Sequence, residues 1–361
     1  MSKIEQAVVH IRIVNKHGRK VESITATDGV REIDKDEFIA WFSEGDDTTI
    51  IQYDQSNIFF HPLPSGDFAI GIINPSEGRS GKIAGYTYSF LSPPKSFFVR
   101  VLILSPTALF QQANNPIALY ERLLSHQKIP PIERQPRRLR TITVPPSRSF
   151  CDTRLLRRIE AESGIVAMTR LFQSLFDSVC TIFRSGKLLP TQFVINGLLN
   201  FLPIRFRSSL TFSTELFLSS SLPIQAIGFQ GTRKRADQLS ESSGIPLVDF
   251  ERFDCCRKPP ENIQLNAWQQ FVMNILRDKD FAYLEYQIKT DAEYYDEPID
   301  FADWHDLNDL AIHWQRKPIQ VPIKITPQNK TNESAEKAEK ELEQSIAAVE
   351  LLMDDMKRKP V

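Results

Sequence analysis

Apolar positions change their period several times along this chain, and each change marks a predicted element. The sharpest change lies in Thr191–Leu216, which reads TQFVINGLLNFLPIRFRSSLTFSTEL. Phe193, Val194, Gly197, Leu198 and Phe201 recur at helical spacing, so a buried helix is predicted first. Pro203 cannot continue that helix in register but suits the start of a short new turn. After Arg205 and Arg207 the period falls to two. Leu210, Phe212 and Thr214 alternate with Ser209, Thr211 and Ser213, the rhythm of a half-buried strand.

On the N-terminal side, Ala7–Val14 and Val21–Thr27 read as strands joined by a turn at Gly18. Asp34 is placed to cap a helix carrying Phe38, Ile39, Trp41 and Phe42. Ile58-Phe59-Phe60, the turn-rich HPLPSG from His61 to Gly66, and Phe68–Ile73 predict a hairpin. A polar loop at 74–85 leads to a strand near Tyr86–Leu91. FFVRVLIL, Phe97–Leu104, is apolar nearly throughout and reads as a central strand. Asn115-Pro116 opens a helix.

Prolines 130, 131, 136, 145 and 146 and a cluster of arginines then mark a change of composition. Beyond it, Arg154–Glu162 begins a helical region. Ile165, Met168, Phe172, Leu175, Val179 and Ile182 predict one long amphipathic helix. Pro223–Phe229, a charged helix over 232–242 and Ile245–Phe250 form a predicted parallel β-α-β unit. Helices are expected over Leu265–Leu276 and over Asp300–Trp314, the latter with Phe301, Trp304, Leu307 and Ala311 inward. Past Pro318 the chain turns polar, and then Ala335, Leu342, Val349 and Met356 fall a heptad apart. The fold class expected is α+β, in four parts. An N-terminal mixed, β-rich domain covers 1–128 and a Pro/Arg-rich connection 129–158. A helical α/β domain covers 159–318, and a tether with a coiled-coil-like tail helix 319–361.

Composition changes this picture little. The 361 residues carry a net charge of −1 with 41% hydrophobic positions, which gives no global pull toward nucleic acid or membrane. No apolar run approaches the roughly 20 residues that span a bilayer. MSKIEQAVVHIRIV starts a strand pattern without the layout of a signal peptide, so the cytoplasm is the expected compartment. Cys151, Cys180, Cys255 and Cys256 lack metal-ligand spacing and are expected to stay reduced, with Cys180 on a helix face.

Candidate chemistry is sparse. Ser76–Ile83 (SEGRSGKI) fails the phosphate-loop pattern at both ends, where Gly and Ser or Thr would be needed. His61 is placed to act as a base, yet no nucleophile elbow accompanies it, so a polar residue ending a strand is favoured. His305 and His313 are eight apart on one predicted helix and are expected to flank its tryptophan-rich face. Arg205 and Arg207 suit a phosphate or a partner's carboxylate, although bridging acids of their own domain is the favoured reading. The arginines of 134–158 offer an electrostatic contact to nucleic acid, with a solvated face preferred. No cofactor or metal is expected.

Three segments carry a resemblance: QSNIFFHPLPSGDFAIG, SPTALFQQANNPIALYERLL and GLLNFLPIRFRSSLTFSTEL. In this order they resemble large uncharacterised bacterial proteins of planctomycete type. Those in turn are similar to the N-terminal and middle modules of the bacterial GTPase-associated protein family. The likeness spans roughly residues 30–250 and departs at IRIVNKHGRK and at 76–82. It implies an α/β module around 191–216 and a non-catalytic scaffold in a GTPase-centred assembly. A protein partner, a GTPase in the first instance, is therefore expected. The contact residues expected are Arg205, Arg207, His61 and the tail seam of Leu342, Val349 and Met356, which is also expected to self-associate. The alternatives are a nucleic-acid-associated protein using the Arg-rich connection and a hydrolase with an unrecognised site.

Overall fold

The computed structural model describes residues 1–13, 19–43, 50–51, 57–73, 82–83, 86–87, 96–130, 132, 134–147, 149–186, 188–218, 221–251, 265–295 and 304–316. Strands β1 (Ser2–Ile13) and β2 (Arg19–Ala26) pair antiparallel, as their alternation predicts. Helix α1 (Glu32–Ser43) follows. Asp34 is not its cap but lies inside its first turn, 1% exposed, where Oδ1 accepts from the Ser65 N–H at 3.3 Å. Phe38, Trp41 and Phe42 are buried, whereas Ile39 is 43% exposed, off the core-facing stripe.

Short β3 (Ile50–Ile51) precedes the predicted hairpin of β4 (Asn57–Pro62) and β5 (Phe68–Ile73). A two-strand ribbon, β6 (Lys82–Ile83) and β7 (Tyr86–Thr87), leads to β8 (Ser96–Leu104). β8 pairs with both β5 and β1, the central position that its apolar run implies. Ser105 and Asn115 cap α2 (Pro106–Phe110) and α3 (Pro116–Ser125), each accepting from the N–H three residues on, with proline in the first turn. In the Pro/Arg-rich segment, β9 (Ile142–Val144) pairs with the start of β1, and Gln135 Nε2 donates to Thr25 Oγ1 at 2.6 Å. The segment is thus laid against the first strands.

Asp152 caps α4 (Thr153–Asp177). The predicted long helix ends sooner than expected, at Ser178, whose backbone is extended. Val179 is 87% exposed, Cys180 is half-buried outside any helix, and Ile182 belongs to strand β10 (Thr181–Arg184). The apolar spacing ran on by coincidence from a helix face into a strand. Then come α5 (Thr191–Phe201), the proline-started turn α6 (Ile204–Arg207) and β11 (Phe212–Ser213). Ser213 is as buried as Phe212, because β11 lies in mid-sheet with both faces covered. β12 (Phe217–Leu218) pairs with β3.

β13 (Ala226–Phe229), α7 (Arg233–Ser243) and β14 (Leu247–Asp249) form the expected parallel unit, except that β10 lies between the two strands and pairs with each. α8 (Ala267–Asp278), α9 (Phe281–Tyr294) and α10 (Trp304–Arg316) complete the described chain. α9 is absent from the sequence reading.

One ten-stranded mixed sheet organises all of this, in the order β14-β10-β13-β11-β4-β5-β8-β1-β2, with β9 beside β1. The fold is α+β. The expected break at 129–158 is crossed by the sheet where β11 pairs antiparallel with β4, Phe212 opposite Phe60. Those rings stack at 5.7 Å, and Phe60 stacks on Phe68 at 5.5 Å. Asn57 seals the junction: its Oδ1 accepts from Ser213 Oγ at 2.9 Å and from the Glu215 N–H at 3.1 Å. Alternate strand residues feed two cores. Phe60, Ile70 and Leu102 face α4, α5 and α8, whereas Phe59, Ala69 and Val101 face α1 and α7. The structure divides into Met1–Lys317 and Pro318–Val361. The latter lies outside the described residues, and so do the heptad seam, Cys255, Cys256 and most of the 74–85 loop.

Candidate functional site

The HPLPSG turn does more than reverse the chain. His61, Pro62, Leu63 and Pro64 leave β4 as one wall of a cavity of about 1110 Å³. The Leu63 N–H donates to Asp67 O at 2.8 Å, and Gly66 takes a left-handed φ of 84°, so the turn is closed tightly. The opposite wall comes from far along the chain: Val179 and Cys180 before β10, Ser208, Ser209 and Thr211 before β11, and then Phe217, Leu222–Gln225 and Ile227. Both halves of the sequence build it. Leu63, Phe68, Phe217, Leu222 and Ile224 give it an apolar character, and Val179 stands exposed at its mouth.

The polar groups in this cavity are few and quiet. His61 Nδ1 lies 2.7 Å from the Pro62 carbonyl, so that nitrogen carries the proton and donates. Trp41 sets its edge against the imidazole at 5.5 Å and donates its own N–H to Glu37 at 2.7 Å. Burial pulls the His61 pKa below its ordinary value, outweighing the Pro62 and Pro223 carbonyls and Glu37, which favour the cation. Burial likewise pushes the Cys180 thiol up to about 11, so it is protonated at neutral pH and a poor nucleophile. The Gln225 side-chain oxygen Oε1 accepts from the Thr211 N–H at 2.9 Å. Chemically, the cavity suits an apolar group with one or two hydrogen bonds.

Arg205 and Arg207, from the Thr191–Leu216 stretch, are placed elsewhere and apart in role. Arg205 pairs with Asp291 at 3.3 Å and lies over the Phe206 and Tyr295 rings. Arg207 is buried completely and ties three segments together. It donates to the carbonyls of Leu202 at 3.0 Å, Ala113 at 3.0 Å and Phe150 at 2.6 Å. Burial brings its pKa down to about 10, and Cys151 beside it is pushed up to about 12. Neither guanidinium faces the His61 cavity. His313 is exposed on α10. Among the described residues no three His, Cys, Asp or Glu side chains gather as metal ligands, and no helix is long and apolar enough to cross a membrane.

Sequence reasoning missed Asn57 and Arg100. Asn57 looked like an ordinary residue before a strand, and nothing local shows its role across the sheet. Arg100 did carry a signal, as the one charge within FFVRVLIL. Compared with known proteins, the chain matches no family model and no curated sequence.

Proposed function

We propose that this is a non-catalytic interaction protein, a cytoplasmic scaffold whose recognition site is the His61 cavity. The partner is a protein that inserts an apolar side chain or short apolar segment. The observation that carries this reading is the chemistry of the cavity: apolar walls, an uncharged imidazole and a protonated thiol. An apolar concavity with few polar anchors is a recognition surface. Three segments resemble uncharacterised bacterial proteins that are in turn similar to the GTPase-associated family, which names the first partner to try, a GTPase of the same genome. The tail seam of Leu342, Val349 and Met356 serves self-association in this reading.

The test uses Val179→Glu in the full chain. Val179 is exposed at the cavity mouth, so the substitution leaves the core untouched while placing a charge where an apolar group enters. Titration calorimetry with the purified GTPase is expected to show binding by the wild type and roughly tenfold or greater loss in the variant, with unchanged melting. Equal binding by both proteins, or none by the wild type, contradicts the proposal.

A further inference from the structure

A second cavity, of about 800 Å³, lies against the Pro/Arg-rich segment, well away in sequence from His61. Its floor is Arg100. Counting along β8, Arg100 shares a face with Leu102 and Leu104, both fully buried, at a position where the strand pattern calls for an apolar side chain. The residue is 6% exposed. Its guanidinium donates to Gln6 Oε1 at 2.7 Å and to the Pro130 carbonyl at 2.8 Å, both neutral acceptors. Among the described residues no carboxylate pairs with it, and burial pulls its pKa below the usual arginine range. A buried cation with only neutral partners leaves positive charge to be complemented.

Four further cations line the same space: Lys128, Arg134, Arg138 and Arg140. The three arginines are exposed, and among the described residues none of the four side chains makes an ion pair or a hydrogen bond. Between Lys128 and Thr143 the sequence holds one acid, Glu133, which lies outside the described residues. On a chain of net charge −1 this is a strong local concentration of positive charge. The segment that presents it is fastened along its length. Gln6 Nε2 donates to the Arg140 carbonyl at 2.5 Å, Gln135 Nε2 to Thr25 Oγ1 at 2.6 Å, and β9 pairs with β1. The backbone carrying these arginines is therefore positioned before any ligand arrives, which reduces the ordering cost of binding.

We infer that this cavity binds a compact oligophosphate, either free inorganic polyphosphate or the phosphate tail of a nucleotide. Guanidinium forks match phosphate oxygens, and several forks around one concavity suit several linked phosphates. Among the described residues the lining holds no aromatic side chain on which unpaired bases would stack. That feature sets a small phosphate ligand above a nucleic-acid strand.

The experiment is titration calorimetry on the full chain with inorganic tripolyphosphate, a nucleoside triphosphate, the corresponding nucleoside, and a single-stranded oligonucleotide. Tripolyphosphate and the triphosphate are expected to bind and the nucleoside not to, with affinity falling as salt rises. Equal affinity for the first two assigns the site to the phosphate chain alone, whereas tighter triphosphate binding assigns it to a nucleotide. Arg134→Gln with Arg138→Gln, both at exposed positions, is expected to weaken binding by roughly tenfold or more. Arg137→Gln, on the same segment but outside the lining, is expected to leave it unchanged and serves as the control. The inference is overturned by no tripolyphosphate binding, by binding that ignores the double substitution, or by oligonucleotide binding that tripolyphosphate does not displace.

Discussion

Trp41 sets its edge on His61, two prolyl carbonyls approach the ring, and burial still keeps the imidazole neutral. That balance gives His61 a definite effect on stability. Its pKa in the unfolded chain is the ordinary 6.5, and in the folded protein it is lower. Below pH 6.5 the unfolded chain therefore takes up the proton first, and stability falls as pH falls toward the folded pKa. Above pH 6.5 the contribution is complete. His61→Gln removes this dependence, so the gap between wild-type and variant urea midpoints should narrow on acidification; a constant gap contradicts the assignment. At this scale the sequence was legible where a residue sat in unusual local company, as His61 does within HPLPSG. It was silent where a residue's partner is remote, as with Asn57 and Ser213. Gly71 is another silent position: a methyl there would fall 1.9 Å from the Phe59 ring, which fills the space above it.

Elements with closed local signals were read correctly. Asn115-Pro116 fixes the start of α3, and Pro203 separates α5 from α6, because caps and prolines act within one turn. The α4–β10 boundary was misread because Val179 and Ile182 prolong the helical spacing of Met168, Phe172 and Leu175, while Ser178 is too weak a stop to show in sequence. α9 was missed although Asp280 caps it and Leu284 and Ile288 keep its spacing. The flanking polar and charged residues masked so short an apolar stripe. β11 is the element on which most depends, since two paired residues connect the parallel and antiparallel parts of the sheet. Phe212→Ala removes a fully buried ring that stacks on Phe60 and should cost about 3–5 kcal/mol in urea unfolding. An unchanged midpoint would show that this junction is not a principal support of the fold.

Across the whole molecule, the α+β class and the order of most elements follow from periodicity, but the continuity of the sheet does not. Ile58 and Thr214 exchange hydrogen bonds, with N–H donation to the Thr214 hydroxyl at 2.9 Å, although 156 residues separate them. No local pattern encodes such a pairing. The proposed site has the same origin, because the 61–68 turn meets Ser208, Thr211, Phe217 and Leu222–Gln225 only once β4 and β11 are neighbours. In the proposed reading, recognition is a property of the joined sheet and of neither half alone. Hydrogen exchange on the full chain with and without the GTPase tests this directly, since amides shielded by a partner exchange more slowly. The account predicts added protection at 61–68 and at 217–225 together, with 134–143 unchanged. Protection confined to one of those two stretches, or found only away from the cavity, contradicts it.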